Sequence, residues 1–104
     1  MITNKRCFTK PERKELRRLA GLAYERELAK ALELLGKKFG QWEKKKITAF
    51  KLNDFIHKFH NGTARDLWSF YTGGDSVMIV AHALAKGIIL KTEVSPAILE
   101  KLIR

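Results

Sequence analysis

The sequence predicts an all-α protein, a single-domain compact bundle of five or six helices whose first helix is long and basic. Apolar residues recur at helical spacing through most of the 104 residues. No segment alternates polar and apolar residues as paired strands do, and no repeat with a period of roughly 20 to 50 residues occurs. The hydrophobic content of 45% is enough for one core but not for two.

The first helix is predicted to begin after Thr9, because Thr9 and Glu12 can form a capping box and Pro11 suits a first turn. Its early apolar stripe and its later one lie about 80° apart around the helix, so we expect the buried face to drift, or the helix to bend or break at a glycine. Residues 1–8 are assigned to a basic arm and residues 9–104 to the helical domain. The two stripes are Leu16, Leu19, Ala20 and Ala23, then Tyr24, Leu28, Ala31, Leu32, Leu35, Phe39 and Trp42, and the glycines are Gly21, Gly36 and Gly40.

Thr48 is predicted to cap a second helix that Gly62 ends, and Thr63 to start a third. This arrangement suggests a helix-turn-helix DNA reader, but its second helix offers one strong base-reading side chain, Arg65, so packing into the core is the preferred explanation. Several aromatic residues are expected to form one core layer: Phe50, Phe55, Phe59, Trp68, Phe70 and Tyr71.

The C-terminal third is predicted to hold two more helices. Asp75 can cap a helix that is apolar almost all round, which is typical of a central buried helix, and Gly87 can end it. The pair Ser95 and Pro96 can start a last helix.

Positive charge is concentrated in the first half of the chain, because residues 1–51 carry +9 of the net +10. Five cations occupy one broad sector of the first helix, and their like-charge pairs four residues apart oppose the helix until an anion arrives. We therefore expect an accessory or regulatory module that binds a polyanion, above all nucleic acid, through phosphate contacts. The alternative is a solvated face whose repulsion Glu12 and Glu15 soften. The cations are Lys10, Arg13, Lys14, Arg17 and Arg18, assisted by Lys5, Arg6 and Lys44 to Lys46.

A second candidate site is a polar patch on the second predicted helix. Its histidines and aspartate recur at a spacing of three residues, which permits a metal site or an acid–base centre on His57. No cysteine or paired His motif supports such a site, so capping and surface hydrogen bonds are the preferred explanation, and we expect neither enzyme activity nor a metal or cofactor. The patch consists of Asp54, His57, His60, Asn61 and Arg65.

The partner and compartment are also matters of expectation. An acidic protein is the alternative to nucleic acid, and Leu22, Ala29 and Leu32 lie outside the main apolar stripe, where they would suit a protein interaction or a homodimer. No apolar run is long enough to span a membrane and the first residues do not resemble a secretory signal. With the single cysteine, Cys7, this predicts a cytoplasmic protein.

Overall fold

The computed structural model describes residues 8–103 and contains helices but no strand over that range. The second helix is continuous over residues 49–73, so the described chain has four helices. The prediction of an all-helical single body is confirmed, whereas the prediction of five or six helices is wrong. The helices are α1 (Lys10–Glu43), α2 (α-helical Ala49–Lys58, π-helical Phe59–Ala64 and α-helical Arg65–Gly73), α3 (Ser76–Ala85) and α4 (Pro96–Ile103), with a short 3-10 turn at Lys91–Glu93.

The predicted turn at Gly62 is absent because the chain continues through it as a π-helix. Within residues 8–103 the positive φ angles belong to Lys45 and Gly87, so Gly62 does not adopt the left-handed conformation of a helix-ending glycine. Lys58 before the π segment and Ala64 at its end both have right-handed helical angles. The helix-turn-helix hypothesis is therefore wrong, since no turn separates its two helices.

Helix α1 is unbroken over 34 residues despite its three glycines. At about 1.5 Å per residue it is about 51 Å long, which nearly equals the 54 Å long dimension of the molecule. A Cβ atom added at Gly21, Gly36 or Gly40 would meet nothing within 4 Å. These glycines therefore have open space beside them. The helix stays unbroken because only its early apolar stripe is buried, from Leu16 to Ala23.

Three of the five predicted helix starts are confirmed by hydrogen bonds to the capping side chain, whereas the predicted start at Thr63 is wrong because Thr63 lies inside the π segment. Thr9 and Glu12 form the capping box, in which Glu12 N donates to Thr9 Oγ1 at 3.2 Å and Thr9 N donates to Glu12 Oε1 at 2.9 Å. Thr48 accepts from Lys51 N at 3.1 Å, and Asp75 accepts from the backbone amide three residues later at 2.9 Å. Each cap satisfies an amide that the helix itself leaves without a partner.

The core lies at one end of the molecule, where the first half of α1 packs against α3, α4 and the segment between them. The tight turn after α3 uses Gly87 at φ 74°, and one side of α3 faces this core while its other side is exposed. The buried residues are Phe8, Leu16, Leu19, Ala20, Ala23, Tyr71, Ile79, Val80, Ala83, Ile89, Val94 and Ile98.

At the other end the second half of α1 and the start of α2 form a two-helix hairpin, residues 28–58, in which Leu52 is buried outside the main core cluster. The predicted aromatic core layer is confirmed for Tyr71, which is buried, and for Phe70, which packs against the core, but it is wrong for Phe50, 89% exposed, and Trp68, 58% exposed. Tyr71 stacks on Tyr24 with ring centroids 4.9 Å apart. No third helix in the described chain covers the hairpin, so its outer aromatic residues face solvent.

Candidate nucleic-acid interface

The five cations predicted on α1 are all exposed on its first two and a half turns. The ion pairs within residues 8–103 join Arg26 to Glu93, Lys58 to Asp54 and Lys101 to Glu12. None of the five cations belongs to these pairs. The exposed side of the helix therefore carries positive charge that the described part of the chain does not neutralise through an ion pair.

The two carboxylates of this stretch are bound on the side of α4. Glu12 Oε1 accepts from Lys101 Nζ at 2.6 Å as well as from the backbone of its own cap. The hydrogen bond from Lys101, followed by that from Thr9, lowers the pKa of Glu12. Glu15 Oε2 accepts from Ser95 N at 3.0 Å. Each carboxylate thus has a hydrogen-bond partner outside the five cations, although Glu15 also lines a cleft with Lys14 and Arg18. The alternative of a solvated face whose repulsion Glu12 and Glu15 soften stays open.

Arg13 differs from the other four cations because it has a structural partner. Its Nη1 donates to the carbonyl oxygen of Phe8 at 2.7 Å, and the Phe8 ring is buried in the core. This contact fixes the chain just before α1. Lys10, Lys14, Arg17 and Arg18 remain, and we call these four residues the basic face.

A cleft of about 710 Å³ lies beside the basic face, between α1 and the segment that precedes α4, and Lys14 and Arg18 line it. Glu93 also lines this cleft, but Arg26 donates to it at 2.8 Å and Leu90 N at 2.9 Å. These hydrogen bonds, the one from Arg26 above all, lower the pKa of Glu93 to about 2. Glu93 is thus an ion paired with Arg26, and Arg18 of the basic face also lowers its pKa through charge attraction at a smaller magnitude. Glu15 lines the same cleft.

The polar patch does not form one site. Asp54 pairs with Lys58 at 3.0 Å, while His60 and Arg65 line a cleft of about 360 Å³ together with Trp68. Within residues 8–103 no group of three His, Cys, Asp or Glu side chains is placed to hold a metal ion. His57 is exposed, and the alternative of an enzyme centred on it stays a prediction.

Sequence reasoning missed two aromatic residues at the turn between α1 and α2. Trp42 was assigned to the apolar stripe and Phe50 to the core, yet both are exposed, Trp42 to 42%. Their sequence neighbours could have indicated this exposure, because Lys44, Lys45 and Lys46 lie between them in the chain. Lys5 and Arg6, also predicted to assist, lie outside the described residues.

Comparison with known proteins gives no relative from which a function could be transferred, because no family model, curated protein or solved structure matches the chain significantly. Among the described residues, no helix combines the length and the apolar character that crossing a bilayer requires.

Proposed function

We propose that the protein is an accessory or regulatory module that binds nucleic acid by its phosphates, through the basic face of α1. The observation that carries the proposal is the contrast between cations and carboxylates on the same turns. Four exposed cations follow one another within about 12 Å of helix, while Glu12 and Glu15 are bound to Lys101 and Ser95. The single cysteine of the sequence suits a cytoplasmic location.

Phosphate is the anion that this face fits best. Lys14 and Arg18 are neighbours four residues apart, so they repel each other until an anion lies between them, and the guanidinium forks of Arg17 and Arg18 match phosphate oxygens in pairs. Four phosphate contacts to a duplex give a slope of about −3.6 in the plot of log affinity against log salt, which is a loss of about 150-fold between about 50 and 200 mM salt. Because the contacts reach phosphates, we expect little preference for sequence.

The experiment compares two triple variants that remove the same charge from different places. The variant K14Q/R17Q/R18Q alters the basic face, whereas K30Q/K86Q/K91Q alters exposed lysines elsewhere, and each lowers the net charge from +10 to +7. Binding to fluorescent duplex and single-stranded oligonucleotides is followed by anisotropy over a salt series.

The basic-face variant is expected to bind at least about tenfold more weakly at low salt and to reduce the salt slope by about 2 to 3. The control variant should keep most of the slope, because its lysines lie outside the interface. Equal losses in the two variants would show that overall charge, and not this face, attracts the ligand. Circular dichroism of both variants checks that the helices are retained.

A protein interaction module is the second candidate, because the hairpin exposes Leu32 to 46% and Leu34 to 62%. Exposed apolar side chains on one helix are a common feature of surfaces that pair with another helix or with a second copy of the chain. This function predicts a stable dimer by light scattering at both low and high salt. A monomer under both conditions would leave a different protein as the required partner.

A further inference from the structure

The turn between α1 and α2, residues 42–51, concentrates positive charge at the far end of the hairpin; we call it the tip. Lys44, Lys45, Lys46 and Lys51 are exposed there, and Glu43 is the one carboxylate of this segment. Lys51 Nζ lies 5.5 Å from the centre of the Phe55 ring, and Lys38 Nζ lies 4.5 Å from the same ring. Two ammonium groups thus share one aromatic ring, which favours an anion beside them.

The tip also exposes aromatic surface that the described chain does not cover. Phe50 is 89% exposed, and Trp42 forms part of a cleft of about 620 Å³ whose other lining residues include Lys45, Lys46 and Lys51. This volume lies within the range of small-ligand sites, roughly 300 to 1,000 Å³. A cleft lined by one tryptophan and several lysines suits a ligand that is flat and apolar in one part and anionic in another.

Unpaired nucleotides have this chemistry. Proteins that bind single strands place aromatic side chains beside cations, so that a base stacks on the ring while the backbone phosphates meet the charges. The bases of a duplex are already stacked on one another, and unstacking them has a cost. We infer that the tip is a second nucleic-acid site, in which Trp42 stacks on an unpaired base of a single strand and the tip lysines contact its phosphates. The inference rests on the proposed function only in that the ligand is nucleic acid.

The position of Trp42 on α1 supports a shared ligand. Trp42 follows Arg17 by 25 residues, which is close to seven turns of about 3.6 residues, so the two side chains leave α1 on the same side about 38 Å apart. A single strand stacked as in a duplex rises about 3.4 Å per nucleotide and needs about 11 nucleotides to connect them. An oligonucleotide of about 20 nucleotides can therefore reach both sites, and one of about 5 can reach only one.

The test uses Trp42 as its own reporter. The chain has two tryptophans, so the variant W68F leaves Trp42 as the only one. Titration with a 20-nucleotide oligothymidylate is expected to quench the fluorescence of Trp42, because stacking brings a base against the indole, whereas a duplex of equal length should leave it nearly unchanged. W42A should weaken single-strand binding about fivefold or more and duplex binding less than about twofold. W42F should retain most of the affinity, and W68A is the matched control for loss of an exposed tryptophan.

The outcomes separate this inference from the proposed function. If K14Q/R17Q/R18Q loses duplex binding and the oligothymidylate does not quench Trp42 in W68F, the inference is overturned and the proposed function is kept. If the parent protein binds no nucleic acid, both are overturned. Quenching that persists in K14Q/R17Q/R18Q supports the tip as an independent site. Vesicles of phosphatidylcholine with roughly 30% phosphatidylserine provide the lipid comparison: a blue shift of Trp42 emission with these vesicles, and no quenching by the oligonucleotide, would assign the tip to a membrane surface and overturn the inference.

Discussion

Replacing Gly62 by alanine tests whether α2 is continuous, because a continuous helix predicts a higher free energy of unfolding and a helix end at Gly62 predicts a lower one. Gly62 lies inside the π segment with a negative φ, and an added Cβ would meet nothing within 4 Å. Alanine costs less backbone entropy than glycine in such a position, so G62A should raise the free energy of unfolding by about 0.5 to 1 kcal/mol. For a chain of this size the midpoint temperature should rise by about 4 °C.

Gly87 provides the matched control, because its φ of 74° is a conformation that side chains with a Cβ rarely adopt. G87A should therefore lose about 1 to 2 kcal/mol, which separates the two variants by about 2 kcal/mol. Urea unfolding followed by circular dichroism measures both values. A loss of stability in G62A as large as that in G87A would mean that Gly62 ends a helix in solution, and it would refute the continuous α2.

Two further predictions concern the core and one ion pair. L19A should lower the free energy of unfolding by about 2 to 5 kcal/mol because Leu19 is fully buried, whereas L34A on the exposed hairpin surface should change it by less than about 0.5 kcal/mol; equal losses in urea unfolding would contradict the location of the core. Because the pKa of Glu93 falls from its ordinary 4.5 to about 2 on folding, the stability it contributes is complete above 4.5 and is lost as pH falls towards about 2. E93Q should therefore be less stable than the parent near neutral pH, and the difference should shrink through that window; a difference that does not vary with pH would show that Arg26 does not hold this carboxylate in solution.

Three helix starts could be predicted because each depends on residues three positions apart. Thr9 with Glu12, Thr48 and Asp75 all form the caps that their side chains suggest. The early apolar stripe of α1 was predicted for the same reason, since a regular spacing of apolar residues identifies a buried face when a partner covers it. Local chemistry was sufficient wherever the deciding contacts lie within one turn of helix.

The errors arose where the outcome depends on distant parts of the chain. Gly62 and Thr63 resemble a helix end followed by a helix start, yet the flanking turns continue through them, and a local signal gives no account of a π-helix. Phe50 and Trp68 are of residue types that are common in cores, yet both side chains are exposed because no other helix of the described chain covers them. The same limitation affects the candidate interface, because the sequence does not show that Lys101 binds Glu12 or that Ser95 binds Glu15.

Because a single 34-residue helix runs from the core to the tip, the angle around the helix axis between the basic face and the tip depends on the number of residues between them. Deleting or inserting one residue in the middle of α1 changes the direction of its far end by about 100° around the axis, whereas an indel of seven residues changes it by only about 20° and shifts it by about 10 Å. Because α2 returns from the tip to the core, where Tyr71 is buried, a change of length in α1 requires a matching change in α2, and a one-residue indel in α1 alone should disrupt the packing of the two helices in the hairpin.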